Sequence, residues 1–181
     1  MRLGGPLFEN YETPAQWIDA VATLGYRAAY CPIEPESADD FQAYASAARE
    51  ADIVIAEVGA WSNPLSPDPE TRNAALETCK KALALADAIG ARCCVNIAGS
   101  RGGTWPCHGP FAIDLTEETF DMIVATVQEI IDDVGPSRSF YTLEAMPWMY
   151  PDSADAYLSL LKAIKRPAFA VHFDPVNLIN S

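Results

Sequence analysis

Residues 140–174 read FYTLEAMPWMYPDSADAYLSLLKAIKRPAFAVHFD, and this stretch holds one complete strand–helix–strand unit. The apolar runs at 140–144 and 168–173 predict two strands. Between them, residues 153–165 carry apolar side chains at helical spacing, which predicts an amphipathic helix. No hairpin signal such as Asn-Gly joins the two runs, so we expect parallel strands connected through that helix.

The same alternation of strand and helix extends back to the start of the chain. Four earlier strands are predicted at 2–5, 28–31, 53–58 and 92–97. The helices that follow them are predicted at 14–24, 39–51, 70–89 and 116–134. Strict alternation is typical of α/β proteins in which helices cover a parallel sheet.

Two architectures fit six such β/α steps: a doubly wound open sheet and a (β/α)8 TIM barrel. The steps average about 33 residues, so eight of them would occupy about 260 residues, close to the usual ~250 of a barrel. Long polar loops leave the carboxyl ends of the third, fourth and fifth strands, where barrel active sites lie. We therefore expect residues 1–181 to form a single domain that holds the first six units of a TIM barrel, with a complete open sheet as the alternative.

The composition excludes several classes of partner. Asp and Glu number 25 against 12 Lys and Arg, which leaves a net charge of −13. So acidic a chain is not expected to bind nucleic acid or an anionic membrane, because both depend on clustered basic residues. We also find no apolar stretch of the ~20 residues that a transmembrane helix needs.

Cysteine usage indicates a reducing compartment. The five cysteines include no C-x-x-C pair, so neither a zinc knuckle nor a dithiol redox site is predicted. We expect reduced, mostly buried thiols in a cytoplasmic protein. Cys107, in a polar loop, is the thiol expected to be accessible.

Acidic residues stand where two predicted strands end. Glu144 ends the fifth strand and Asp174 follows the sixth. Because consecutive parallel strands end at one rim, these carboxylates would repel each other unless a divalent cation offsets their charge. Oxygen ligands alone suit Mg²⁺ or Mn²⁺, whereas an added His nitrogen favours Zn²⁺, Co²⁺ or Mn²⁺. The alternative is that each acid caps the next helix or pairs with a buried arginine.

The segments LEAMP (143–147) and HFDPVN (172–177) resemble strand ends of the xylose-isomerase-like TIM-barrel superfamily, and more narrowly of its sugar phosphate isomerase/epimerase group. In that family a divalent metal is held by a Glu after strand five, an Asp after strand six, a His after strand seven and a Glu after strand eight. Glu144 and Asp174 match the first two ligands. The other two have no counterpart before Ser181, so we expect a truncated, fragmentary or split chain.

The resemblance implies proton transfer on a sugar, polyol or keto-sugar. In the family, a divalent metal (Mn, Mg, Zn or Co) chelates a carbonyl and a neighbouring hydroxyl and so stabilises an enediolate, while carboxylates move the carbon-bound proton. Glu144 is accordingly the expected catalytic residue. Isomerisation, epimerisation and dehydration share this first step, so the reaction and the substrate stay open.

Other polar and aromatic residues are candidates for substrate contact, and an ordinary structural role is the alternative for each. Asn177 lies three residues after Asp174, where relatives place a substrate-contacting polar group. His172 precedes Asp174 by two residues and shares its side of a regular strand. Glu57 ends the third strand and could bind a sugar hydroxyl.

Three loop residues complete the set of candidates. Trp61 could form an apolar wall against a sugar ring. Arg101 could clamp an anionic substrate group bidentately, and His108 lies in the same loop.

The alternative to an enzyme is a non-catalytic α/β fragment that acts as a binding or assembly module. An incomplete barrel has two open strand edges, which invite pairing with another chain. We therefore expect a homo-oligomer or a complementary chain fragment as partner. A metal-dependent nuclease of the same superfamily would need a basic groove and several histidines, and this chain has only two histidines.

Overall fold

The structure, a computed structural model, describes residues 1–37, 40–103, 107 and 109–179. These residues hold seven strands and five α-helices, together with a short 3-10 turn at Ala112–Leu115. The strands are β1 (Gly4–Gly5), β2 (Ala28–Ala29), β3 (Val54–Ile55), β4 (Glu57–Gly59), β5 (Cys93–Asn96), β6 (Phe140–Glu144) and β7 (Phe169–His172). The helices are α1 (Pro14–Thr23), α2 (Phe41–Glu50), α3 (Pro69–Ile89), α4 (Glu117–Val134) and α5 (Ala154–Ile164).

All paired strands run parallel and follow one another in sequence order. One ladder joins β1, β2 and β3, and a second joins β4, β5, β6 and β7. Backbone hydrogen bonds link the two ladders, because Cys31 N donates to Glu57 O (2.9 Å) and Arg92 N donates to Ile55 O (3.0 Å). A doubly wound sheet reverses its strand order at a switch point, whereas a barrel adds strands in order. The barrel prediction is therefore confirmed, and the doubly wound alternative is wrong.

The predicted third strand is interrupted at Ala56, and its two parts are β3 and β4. Ile55 and Val58 are three residues apart, yet both are buried in the main hydrophobic core. In a regular ladder that pairs Ala29 with Ile55, Cys31 N would donate to Ala56 O, but it donates to Glu57 O, so one extra residue, a β-bulge, lies between β3 and β4. The bulge puts Glu57 in register with Cys93 and on the opposite face from the core residue Val58. The side chain of Glu57 is thereby turned into the barrel.

Local sequence signals account for the helix ends. Each α-helix begins after a side chain that accepts a backbone N–H of the first turn, and such caps typically contribute about 1 kcal/mol. These caps are Thr13, Asp40, Asp68, Thr116 and Ser153. Helix α3 ends at Gly90, whose φ of 82° is a left-handed conformation that glycine adopts without strain. None of the helices in the described ranges has the length and apolar character needed to cross a membrane.

A small second core overturns the expectation for Cys107. Ile97, Cys107 and Met149 form a buried cluster, and Cys107 is only 2% exposed. The loop after β5 folds back at this point, where Trp148 Nε1 donates to Cys107 O at 3.2 Å. The expectation that Cys107 is accessible, which rested on the polar composition of its loop, is therefore wrong. All five cysteines are free thiols.

Candidate functional site

The candidate site lies where β6 and β7 reach their carboxyl ends. Glu144 is the last residue of β6, His172 is the last residue of β7, and the two are register partners. Register partners on parallel strands face the same side, so both side chains point into the barrel with Glu57. Asp174 follows two residues after His172, in the turn that leaves β7.

A tyrosine of the outer helix layer holds the two strand ends together. Tyr157 in α5 donates its hydroxyl to Leu143 O at 2.8 Å, and its oxygen also lies 2.9 Å from His172 O. Leu143 immediately precedes Glu144, so this hydroxyl fixes the backbone next to Glu144 and at His172.

One amide group bridges the two acids that the sequence singles out. Asn177 Nδ2 lies 3.3 Å from Glu144 Oε1 and 3.1 Å from Asp174 Oδ2. Asp174 Oδ1 in turn accepts the backbone N–H groups of Val176 (2.8 Å) and Asn177 (3.4 Å), which fixes the turn. The structure thus brings together Glu144, Asp174 and Asn177 as a compact group of oxygen and amide ligands.

The two carboxylates influence each other's protonation in opposite directions. Burial raises the pKa of Glu144, and the adjacent Asp174, which can accept its proton in a hydrogen bond, raises that pKa further. Burial opposes ionisation of Asp174 as well, but the Val176 N–H and the Glu144 carboxyl group bring the pKa of Asp174 below its ordinary value. Glu144 is therefore the carboxyl group of the pair that more readily holds a proton.

A second pair joins opposite sides of the barrel. His172 Nε2 lies 2.8 Å from Glu57 Oε2, although β5 and β6 separate their strands in the sheet. Both side chains are mostly shielded, with 25% of His172 and 17% of Glu57 exposed. The hydrogen bond to Glu57 raises the pKa of His172 despite the opposing effect of burial. The other ring nitrogen, Nδ1, is buried and has no hydrogen-bond partner among the described residues.

A cavity of about 340 Å³ opens beside this pair. Glu57, Gly59 and Trp61 line one wall, and Tyr30 and Cys31 line another. Trp61 packs closely over the strand, since a Cβ atom on Gly59 would lie 2.5 Å from Trp61 Nε1. Burial raises the pKa of the Cys31 thiol to about 11, so this group stays protonated near neutral pH. The cavity thus offers a carboxylate, a phenol and an indole to a small molecule.

Tyr30 is a site residue that the sequence analysis missed. It is half exposed, and burial raises its pKa, with Glu57 and Glu144 adding to the shift through their negative charge. The signal was available, because Tyr30 stands at the carboxyl end of the second predicted strand. The same positional argument selected Glu57 and Glu144.

One predicted substrate residue, Arg101, is engaged away from this group. The Arg101 guanidinium pairs with Glu118 at 3.0 Å and donates to Thr119 Oγ1 at 3.2 Å, both in the first turn of α4. Its backbone N–H is held by the buried carboxylate of Asp114 at 2.7 Å. A substrate-binding role for Arg101 stays a prediction, and His108 lies outside the described residues.

The donor set fits a divalent cation in part. Glu144 and Asp174 supply hard oxygen donors that share a single amide as their common partner, and such donors suit Mg²⁺ or Mn²⁺. Within the described ranges, however, no group of three or more His, Cys, Asp or Glu residues is arranged to hold a metal ion. These residues would therefore occupy two positions around a cation and leave the others to further ligands.

Parallel strands added in order, with polar groups gathered at their carboxyl ends, define the TIM-barrel class of proteins. Within that class the family is established by sequence. The sequence model of the xylose isomerase-like TIM barrel matches residues 18–181, and the chain belongs to this family. No curated protein sequence matches the chain significantly.

Solved structures share the fold at low sequence identity. A D-psicose 3-epimerase from Clostridium cellulolyticum H10, solved with D-tagatose, is 18% identical, with a TM-score of 0.70 over 94% of this chain and 62% of its own length. An L-ribulose 3-epimerase is 15% identical, with a TM-score of 0.71 over 94% of this chain and 59% of its own. A xylose isomerase-like TIM barrel protein from Mycobacterium smegmatis in complex with magnesium is 14% identical, with a TM-score of 0.61 over 92% and 58%. The chain thus spans about three fifths of these proteins and forms a partial barrel.

Proposed function

We propose that the protein is a divalent-metal-dependent isomerase or epimerase that acts on a sugar, polyol or keto-sugar by proton transfer. The observation that carries this proposal is the meeting of Glu144 and Asp174 on one amide of Asn177 at the barrel rim. The solved relatives support the substrate class, because two of them are a D-psicose 3-epimerase and an L-ribulose 3-epimerase. A related dehydration is the alternative, since it begins with the same proton removal.

The proposed division of labour follows from the environment of each carboxyl group. A divalent cation (Mn, Mg, Zn or Co), held by Glu144 and Asp174, would supply positive charge to stabilise an oxyanion formed on the substrate. Glu144, as the proposed catalytic residue, would take the carbon-bound proton, because its raised pKa brings it closer to the working pH of a proton-transfer group. Asp174, whose lowered pKa keeps it ionised, would act as a ligand only.

The neighbouring side chains are suited to binding a polyhydroxylated molecule. His172 holds Glu57 by a hydrogen bond, and the carboxylate of Glu57, which lines the cavity, would accept further hydrogen bonds from substrate hydroxyl groups. Tyr30 adds a phenol on the same cavity, and Trp61 offers an apolar surface to the C–H face of a sugar. Asn177, which already holds the two carboxylates, would orient the substrate oxygen nearest to them.

Hydrogen exchange at carbon tests this proposal directly. The chain is incubated with Mn²⁺ in deuterated water and a panel of ketoses and inososes, and deuterium incorporation is followed by NMR. We expect Mn²⁺-dependent exchange that is lost in Glu144→Gln, which keeps the size of the side chain but removes the base. Exchange that persists unchanged in Glu144→Gln would contradict the role of Glu144. Absence of exchange with every substrate would favour a non-catalytic binding or assembly module.

We also propose that the chain associates with a second copy of itself or with a complementary chain fragment. Large apolar side chains remain exposed in and after β7, with Phe173 68%, Val176 74% and Ile179 75% exposed. Several large apolar side chains exposed within a short segment favour a contact with another polypeptide. The free thiols support a reducing compartment, for which we propose the cytoplasm.

A further inference from the structure

A second cavity lies at the opposite end of the barrel from the candidate site. It measures about 340 Å³ and is bordered by the ends of α2 and α3 and by β3. Arg92, which immediately precedes β5, and Arg138, just before β6, contribute to its rim together with Arg49 from the last turn of α2. These positions mark the amino ends of the strands, whereas Glu144 and Asp174 lie at the carboxyl ends. The cavity is therefore a separate feature of the molecule.

The charge of this cavity is the reverse of the charge of the protein. Although the chain carries 25 acidic residues, the described lining of the cavity holds three arginines and no Asp or Glu. Of the eight arginines in the chain, four pair with a carboxylate within the part of the chain that the structure describes. Three of the remaining four line this one cavity: Arg49, Arg92 and Arg138. In so acidic a protein, three guanidinium groups with no carboxylate partner among the described residues leave a local excess of positive charge.

Most of the N–H donors of these arginines are not used within the described part of the chain. Arg49 donates to Ser46 Oγ at 3.1 Å, and Arg138 donates to the carbonyl oxygens of Asp87 and Ala88 at the end of α3. The side chain of Arg92 makes no hydrogen bond and no ion pair with any described residue. A guanidinium group carries five N–H donors, so several remain available to a ligand.

Two acids in the segments that border the cavity, Asp87 and Asp52, are engaged elsewhere. Asp87 accepts the backbone N–H groups of Ser137, Arg138 and Ser139 at 2.6–3.0 Å, so its carboxylate faces the 137–139 turn. Asp52, which follows α2, pairs with Arg2 at 2.7 Å and with Arg27 at 2.6 Å. Neither carboxylate forms an ion pair with Arg49, Arg92 or Arg138 in the described structure.

From this arrangement we infer that the cavity is a binding site for a phosphate group, either as the free ion or as a phosphomonoester of a small metabolite. A planar guanidinium group can donate two parallel hydrogen bonds to the oxygens of a phosphate. Several guanidinium groups around one anion bind it more strongly than a single exposed ion pair does. Four alanines form the walls and leave the space open. The volume lies at the lower end of the range of about 300–1,000 Å³ for small-molecule pockets, which is enough for a phosphorylated metabolite of modest size.

Calorimetric titration with sodium phosphate tests the inference on the intact chain. We expect saturable binding that weakens about tenfold in Arg92→Gln, which removes a side chain with no hydrogen bond or ion pair among the described residues. Arg49→Gln provides a second test on another wall of the cavity. Lys162→Gln is the matched control, because it removes the same charge from an exposed position on α5, and its affinity should stay within about twofold of wild type.

Two further titrations define the ligand and guard against a general salt effect. Glucose 6-phosphate that binds more tightly than inorganic phosphate would assign the cavity to a phosphomonoester, and equal affinity would assign it to the free ion. Sodium chloride at the same ionic strength should give no saturable heat. Equal affinities for Arg92→Gln, Arg49→Gln and Lys162→Gln, or no saturable binding of either phosphate, would overturn the inference. Because the readout is binding at the far end of the barrel, its failure is distinguishable from failure of the proposed enzyme activity.

Discussion

Glu57 and His172 lie 115 residues apart in the chain, and their side chains are 2.8 Å apart across the barrel. Glu57 lies on β4 and His172 on β7, and strands β5 and β6 lie between these two strands in the sheet. This hydrogen bond therefore links the third and sixth predicted strands through the interior, where the candidate site lies. It depends on the β-bulge at Ala56, which turns Glu57 inward.

A double-mutant cycle measures the strength of this link. At pH 6, where the raised pKa of His172 keeps its ring charged, we expect Glu57→Gln and His172→Asn to couple by about 1 kcal/mol in the free energy of unfolding. Urea denaturation of the two single variants and the double variant gives the value. The exposed Glu36–Lys81 pair, 3.5 Å apart, is the control and should couple by less than about 0.5 kcal/mol. Equal coupling in the two pairs would show that the link across the barrel adds nothing.

Removal of either proposed ligand should weaken Mn²⁺ binding. We expect Glu144→Gln and Asp174→Asn each to lower the affinity for Mn²⁺ at least tenfold, because each replaces a charged oxygen donor by a neutral amide. Electron paramagnetic resonance of free Mn²⁺ provides the measurement. Asp121→Asn, an exposed acid on α4, loses the same charge and should bind Mn²⁺ like the wild type. Loss of affinity in all three variants alike would indicate a general charge effect.

Asn177 bridges two carboxylates, so its removal should lower the stability of the protein most when no cation is present. We expect Asn177→Ala to lower the free energy of unfolding by about 1 kcal/mol without metal, because both acids lose a hydrogen-bond donor. Saturating Mn²⁺ should restore much of this loss. Thermal melts with and without Mn²⁺ test both statements, with Asn73→Ala on the exposed face of α3 as control. A loss that Mn²⁺ does not reduce would argue against a cation between the two acids.

The Asp87 carboxylate should make the stability of the protein depend on pH. Burial opposes its ionisation, but the N–H groups of Ser139, Arg138 and Ser137 hold the pKa of Asp87 below its ordinary value. A folded pKa below the unfolded value of about 3.9 contributes stability above that pH, and the contribution is lost as the pH falls through the folded pKa. Asp87→Asn should therefore cost about 1–2 kcal/mol at pH 7 and progressively less towards pH 3. Urea denaturation of both proteins between pH 3 and pH 7 measures this difference in the free energy of unfolding. A difference that does not change with pH would contradict the lowered pKa of Asp87.

The exposed apolar side chains after β7 predict association in solution. We expect sedimentation velocity to show a species larger than the 19.6 kDa monomer and Phe173→Glu to shift it towards the monomer. Leu24→Glu, which places the same charge at an exposed leucine beside α1, should leave the distribution unchanged. A stable monomer for the wild-type chain would contradict the proposal of a homo-oligomer.

Helices were predictable from sequence almost to the residue because their signals are local. The prediction of 70–89 corresponds to Pro69–Ile89, and the prediction of 116–134 corresponds to Glu117–Val134. Capping oxygens, a proline in the first turn and a terminal glycine act within a few residues of the helix end. The alternation of elements, together with their average length, was enough to favour a barrel before any strand pairing was known.

Features that depend on partners distant in the chain were not predictable. The break at Ala56 arises because β3 pairs with β2 on one side while β4 pairs with β5 on the other. The burial of Cys107 depends on Met149, 42 residues further on, and the contacts of Arg101 depend on how its loop meets α4. The acids at the strand ends were found by position, but the Asn177 bridge between them required the folded turn.

The strict sequence order of the strands has a consequence for how the molecule assembles. Each strand can dock on the one made just before it, so a chain leaving the ribosome can add its β/α units one at a time. The bond from Glu57 to His172 cannot form until the chain has been synthesised as far as residue 172, 115 residues beyond Glu57. The first strands can therefore become ordered before the residues of the proposed reaction centre are brought together.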